Sequence, residues 1–135
     1  MPAFERQLPA PSILLVEDDP FQLQVLQEII EESLKLRCAT ATNGLLGLKK
    51  YKERLDRYQA DLSREIKNIQ EASPKGLQQI QMPFLIVITD VNMPLMDGLE
   101  MSRQIKACFR DFLTMFVKEQ RKQLETLVRG KSKKK

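Results

Sequence analysis

Two short apolar runs that do not alternate, each closed by carboxylates, constrain this chain more than any other feature. Ile13-Leu14-Leu15-Val16 ends in Glu17-Asp18-Asp19 and then Pro20, and Phe84-Leu85-Ile86-Val87-Ile88 ends in Thr89-Asp90. A short apolar run without polar alternation is the pattern of a strand covered on both faces, as in a parallel sheet. Parallel strands need crossover connections, and right-handed crossovers set the first and third strands side by side with their carboxyl ends on one edge. Glu17, Asp18 and Asp90 are therefore expected to converge.

The segments between these runs supply the crossovers. Asp19 is a good N-cap and Pro20 a good first helical residue, so a helix is predicted from Pro20 to about Leu34, burying Phe21, Val25, Leu26, Ile29 and Ile30. A second strand is expected within Leu36 to Thr42, closed by the turn pair Asn43-Gly44. From Leu45 to about Gln70 there is no proline, and Leu48, Tyr51, Leu55, Tyr58, Leu62, Ile66 and Ile69 recur at helical spacing, which predicts one long helix. The fold class is α/β, a doubly wound parallel sheet of three strands in the order 2-1-3 with long helices.

At 135 residues the chain is one domain in size, and a hydrophobic fraction of 42% is ordinary for a globular protein. No apolar stretch approaches the roughly 20 residues of a membrane helix, and residues 1–12, with Pro2, Pro9 and Pro11, read as an extended leader without the apolar core of a signal peptide. A cytoplasmic location is expected, with the nucleus as the other setting. Cys38 and Cys108 have no metal-ligand spacing and there is no histidine, so both are read as buried free thiols. The charge of +4 resides in the end of the chain, since five of the 22 basic residues fall within residues 129–135. That basic tail lacks aromatic residues for stacking and reads as a solvated run of like charge, with nucleic acid an unlikely partner.

Three carboxylates at one strand edge repel one another and raise one another's pKa unless a cation relieves them. Mg2+ suits such a place, because it accepts one or two carboxylates, retains several waters and leaves positions for phosphate oxygens.

The segment Thr89-Asp90-Val91-Asn92-Met93-Pro94-Leu95-Met96-Asp97-Gly98 after an apolar run, together with the upstream Glu17-Asp18, resembles the response-regulator receiver domain of two-component signalling, a flavodoxin-like fold. The resemblance implies that Asp90 is the phosphoacceptor and that Glu17, Asp18, Asp90 and the main-chain carbonyl of Asn92 hold Mg2+. It implies a histidine kinase or a histidine phosphotransfer protein as partner, and no independent turnover. Pro94, Asp97 and Gly98 match the family's following turn: Asp97 is suited to cap the next helix and Gly98 to let the backbone turn tightly.

The resemblance runs over about residues 13–106 of a partial receiver spanning 13–111. It is interrupted by a helical insertion at about 56–82, read as a solvated arm or as a pairing surface for another helix. After Gly98 the family's fourth strand, ending in threonine or serine, and fifth strand, ending in lysine, are not evident. Leu99, Ile105, Cys108, Phe109, Phe112, Leu113, Phe116, Val117, Leu124, Leu127 and Val128 instead have the spacing of one continuous helix through 112–128. The alternative at this point is a fourth strand over Phe112–Val117, with Thr114 in place of the family's hydroxyl residue. Neither Lys106 nor Lys118 has a strand-end setting. The third strand would then be an edge with unpaired backbone groups, open to self-association or to cover by the terminal helix. This leaves a second functional class beside phosphoacceptance, a degenerate receiver that only docks or dimerises.

Overall fold

The computed structural model describes residues 10–70 and 80–132. The order of elements is β1 (Ile13–Val16), α1 (Pro20–Leu34), β2 (Cys38–Ala41), α2 (Gly44–Gln70), β3 (Ile86–Thr89) and α3 (Gly98–Ser132). The three strands form one parallel sheet in the order β2-β1-β3, as the apolar runs predict. Residues 1–9 of the expected leader and 71–79 of the expected insertion lie outside the described residues.

All four β1 residues are buried because the strand is central and covered on both faces. With side chains alternating, Leu14 and Val16 point to the face carrying α2 and α3, where they join Leu48, Tyr51, Leu55, Met101 and Phe112 in the core. Ile13 and Leu15 point to the opposite face, where α1 packs over β1 and β2. On β3, Val87 packs against the α2–α3 core, so Ile86 and Ile88, in register with Ile13 and Leu15, share the α1 face.

Helices α2 and α3 both begin at the carboxyl edge of the sheet and run side by side in parallel. Near their starts Gly47 lies against Met101 and Val16, where a Cβ would sit 2.7 Å from the Met101 sulfur and 2.9 Å from a Val16 methyl. Further along, the Tyr58 and Phe112 rings are 5.7 Å apart, and near the end of α2 Gln70 donates to Gln123 at 3.1 Å. At about 1.5 Å per residue α2 is about 40 Å long and α3 about 52 Å, whereas a four-residue strand spans only about 13 Å. The helices therefore project past the sheet as an arm. The predicted insertion thus begins as the second half of α2, and the surface that residues 58–70 pair with is the chain's own α3.

The region after Gly98 is one helix, so the alternative strand over Phe112–Val117 is not formed. Thr114 bonds its own helix, donating to the Arg110 carbonyl at 3.0 Å. Three further expectations are corrected. Of α1 only Leu23 is buried, while Phe21 is 75% and Ile29 55% exposed and Ile30 half-buried, because among the described residues no element lies beyond β3 to cover that flank. Cys108 is half-buried rather than buried, although both cysteines are free. The basic tail is not all tail, since α3 continues through Ser132; Lys and Arg are good helix formers and favourable near a helix C-terminus. Residues 133–135 lie outside the described residues.

The two edges of the sheet differ. On β2, Glu31 accepts from the Cys38 N–H at 2.9 Å and Lys50 donates to the Thr40 carbonyl, so side chains occupy backbone groups of that edge strand. Among the described residues no side chain does this for β3, where Leu85 is 69% and Ile86 45% exposed. No helix among the described residues is long and apolar enough to cross a membrane.

Two outcomes follow from this packing. Phe112→Ala should cost about 3–5 kcal/mol in denaturant unfolding and the exposed Met115→Ala well under 1 kcal/mol; equal small losses would show that α2 and α3 do not pack as described. The Cys38 N–H, and after it Gln27, holds the Glu31 carboxyl below its ordinary value of 4.5. Its depressed folded pKa gives stability that is present above about pH 4.5 and lost as pH falls through the folded value. A plot of urea midpoint against pH should therefore be flatter in this window for Glu31→Ala; an unchanged slope would contradict the assignment.

Candidate metal centre

The site is built by strand register. Val16 pairs with Thr89 at the ends of β1 and β3, and the Asp90 N–H donates to the Val16 carbonyl at 3.1 Å, so Asp90 follows β3 where Glu17 follows β1. On the other side the Glu17 N–H donates to the Ala41 carbonyl of β2 at 3.0 Å. Glu17 is thus fixed by β2 while the residue before it is held from the β3 side, and it is 6% exposed while Asp18 and Asp90 are exposed. Oxygens of Glu17, Asp18 and Asp90 all lie within 4.8 Å of one another. The three carboxylates predicted to converge do so.

Their electrostatics follow from this placement. Burial pushes the Glu17 carboxyl above its ordinary value of 4.5, and the neighbouring Asp90 and Asp18 push in the same direction. The Asp19 N–H, which donates to Glu17 Oε1 at 3.3 Å, opposes the shift. A half-buried set of like charges with all-oxygen donors fits a hard divalent cation, which removes the repulsion and takes the oxygens as ligands. These residues can hold such an ion.

Asp19 stands outside the set. Its side chain accepts from the N–H groups of Phe21 at 2.9 Å and Gln22 at 3.3 Å and caps α1, with Pro20 at the first helical position. Asp90 Oδ1 accepts from the Val91 N–H at 2.8 Å, which fixes one of its oxygens, and Thr89 Oγ1 donates to the Asp90 carbonyl at 2.8 Å. Asn92 is exposed, two residues beyond Asp90 in the loop that leads to α3.

The loop is closed by the predicted turn residues, though not wholly for the predicted reason. Asp97 Oδ1 accepts from the Glu100 N–H at 2.8 Å and caps α3. The Gly98 N–H donates to the Val91 carbonyl at 2.9 Å. Gly98 does not have positive φ; it is needed because a Cβ there would collide with the Asp90 carbonyl oxygen. Pro94 accepts from the Met96 N–H at 2.8 Å, which bends the loop around Leu95 at φ 70°.

Two contributors were not legible as parts of the site. Asn43 accepts from the Leu46 N–H at 2.9 Å and caps α2, and Gly44 allows the Met96 backbone to press against the start of that helix, where a Cβ would collide with the Met96 carbonyl. The pair Asn43-Gly44 signals a turn in the sequence; that this turn braces the loop after Asp90 is a tertiary fact. Lys106 and Lys118 are both exposed on α3, as their sequence setting suggests.

Comparison with protein-family models, with curated proteins and with solved structures returns no match to this chain.

A cation bound by these carboxylates stabilises the folded chain by mass action, by about 1.4 kcal/mol at about ten times its Kd. For a chain of this size that corresponds to a rise in Tm of about 5 °C. Titration with MgCl2 at constant ionic strength should give such a rise for the native chain and none for Glu17→Gln combined with Asp90→Asn. An equal rise in both would place the ion elsewhere.

Proposed function

We propose that the chain is a phospho-accepting signalling module, with Asp90 as the acceptor and Mg2+ held by Glu17, Asp18, Asp90 and the main-chain carbonyl of Asn92. The observation that carries this reading is the convergence of three carboxylates at the carboxyl edge of a parallel sheet, with one of them, Asp90, exposed at the strand end. The resemblance of the Asp90-to-Gly98 segment to a receiver domain supplies the donor, a phosphohistidine on a kinase or phosphotransfer protein.

In the proposed transfer a carboxylate oxygen of Asp90 attacks phosphorus, the phosphorus–nitrogen bond of phosphohistidine breaks as the phosphorus–oxygen bond forms, and the imidazole leaves and takes a proton from water. With Oδ1 held by the Val91 N–H, the other oxygen of Asp90 is the one to attack. The metal ion supplies neutralisation of charge on the transferring group. Glu17, buried and fixed by backbone bonds, acts as the rigid ligand, and Asp18, exposed, as the adjustable one. The chain carries out no independent turnover.

A second reading has its own support. Thr114 and Lys118 lie on α3, away from any strand end, so the hydroxyl and lysine partners expected of a complete receiver have no counterpart among the residues considered for them. A module that has lost its phosphoryl contacts and acts only by docking accounts for the open edge of β3 and the exposed flank of α1.

Incubation of the purified chain with MgCl2 and acetyl phosphate, read by intact mass, separates the two. The phosphoacceptor reading predicts a single added phosphoryl group that is absent from Asp90→Asn, with weak accumulation. No addition to a folded chain, or equal addition to the variant, would leave docking as the function.

A further inference from the structure

Among the described residues two apolar surfaces are left open, and the charges beside them are opposite. The first lies beside β3. The polar flank of α1 faces the outer edge of β2, because Glu31 on that flank binds the Cys38 N–H. At 100° per residue, Leu26 and Ile29 lie on the flank opposite Glu31, turned toward the β3 side of the sheet, and Val25 and Phe21 continue this apolar arc over the outward face of the helix. All four are exposed, by between 37% and 75%, and Leu85 and Ile86 continue the apolar surface onto β3. Glu28 and Glu32, one helical turn apart and both exposed, border the outward end of this arc along α1.

The second surface is on α3. The side of α3 that faces α2 carries Met101, Ile105, Phe112 and Phe116. A different stripe, Leu113, Val117, Leu124 and Val128, is exposed by between 44% and 62%. Lys118 and Arg121 lie beside it, and with Leu113, Thr114 and Val117 they line a shallow hollow on that flank. The edge of the arm's stripe, with Lys118 and Arg121 against the single exposed acid Glu125 between them around the helix, is therefore net basic, and the α1 arc is acidic-edged.

We infer that a second copy of this chain docks here, the exposed stripe of α3 in one protomer packing on the α1–β3 apolar surface of the other, and reciprocally, to form a closed dimer. A two-fold axis makes the contact twice, so each protomer contributes both surfaces. The ten large apolar side chains involved expose on the order of 800 Å² per protomer, which is the area a standard stable interface buries on each side. Glu28 and Glu32 then meet Lys118 and Arg121 at the rim, where charge complementarity fixes register more than affinity. This contact is independent of Asp90 and of whether phosphorylation occurs.

The test is the mass of the full chain in solution by sedimentation equilibrium at 1–100 μM, with circular dichroism confirming that each variant keeps its helices. The native chain is expected to be a dimer. The reversal Glu28→Lys with Glu32→Lys, and separately Lys118→Glu with Arg121→Glu, should each weaken dimerisation at least tenfold, and the four changes together should restore it. All four positions are exposed, so the variants should fold. A native chain that stays monomeric, reversals without effect, a four-fold variant that is not restored, or growth beyond two copies would each overturn the proposal.

Discussion

The bond from the Asp90 N–H to the Val16 carbonyl is the constraint on which the rest depends. It fixes the register of β3 against β1, and in a strand a shift of one residue would reverse every side chain. With this register Val87 enters the core, Thr89 stands beside Gly98, and Asp90 comes within reach of Glu17. The same register sets where α3 starts, since Gly98 returns its N–H to Val91 and its missing Cβ lets the helix begin against the Asp90 carbonyl. Site and fold thus share one set of backbone bonds.

Cover on the two faces of the sheet is unequal. On one face α2 and α3 bury Leu14 and Val16 and then continue far past the strands, zipped by Tyr58, Phe112 and Phe116. On the other, among the described residues, α1 alone covers β1 and β2 and leaves the β3 side open. What α2 buries is not wholly apolar: Asp61 is buried and accepts from the Gln81 N–H at 3.0 Å, tying the return segment to α2. Glu65 is 4% exposed with the Arg64 Nε 3.5 Å from its Oε1. Buried acids at such positions cost stability unless paired.

What the sequence made legible was what carries local chemical punctuation. The ends of β1 and α1 could be read because Glu17, the Asp19 cap and Pro20 stand together, and α3 could be read as one helix because its apolar spacing never breaks. The three carboxylates of the site were legible because each closes an apolar run. The burial of α1 was not legible, since the spacing of Phe21, Val25, Leu26 and Ile29 reports what a helix can bury and not what the fold supplies. Asn43 and Gly44 could be read as a turn, but their bracing of the Met96 loop depends on α2 meeting α3. The buried acids Asp61 and Glu65 lie beside the apolar row of α2, where hydrophobic periodicity gives no sign of burial.

The central claim is that β1 and β3 together build one divalent cation site from Glu17, Asp18 and Asp90. Its most direct test uses Mn2+, which accepts the same oxygen donors as Mg2+ and broadens nearby amide signals in a two-dimensional NMR spectrum of the labelled chain. The account predicts that substoichiometric Mn2+ erases the signals around Asp18, Asp19, Val91 and Asn92 first and leaves those near Glu32, Asp56 and Glu125 sharp, with Mg2+ reversing the effect. Broadening spread evenly over all acidic segments, or confined to any one of those distant positions, would contradict it.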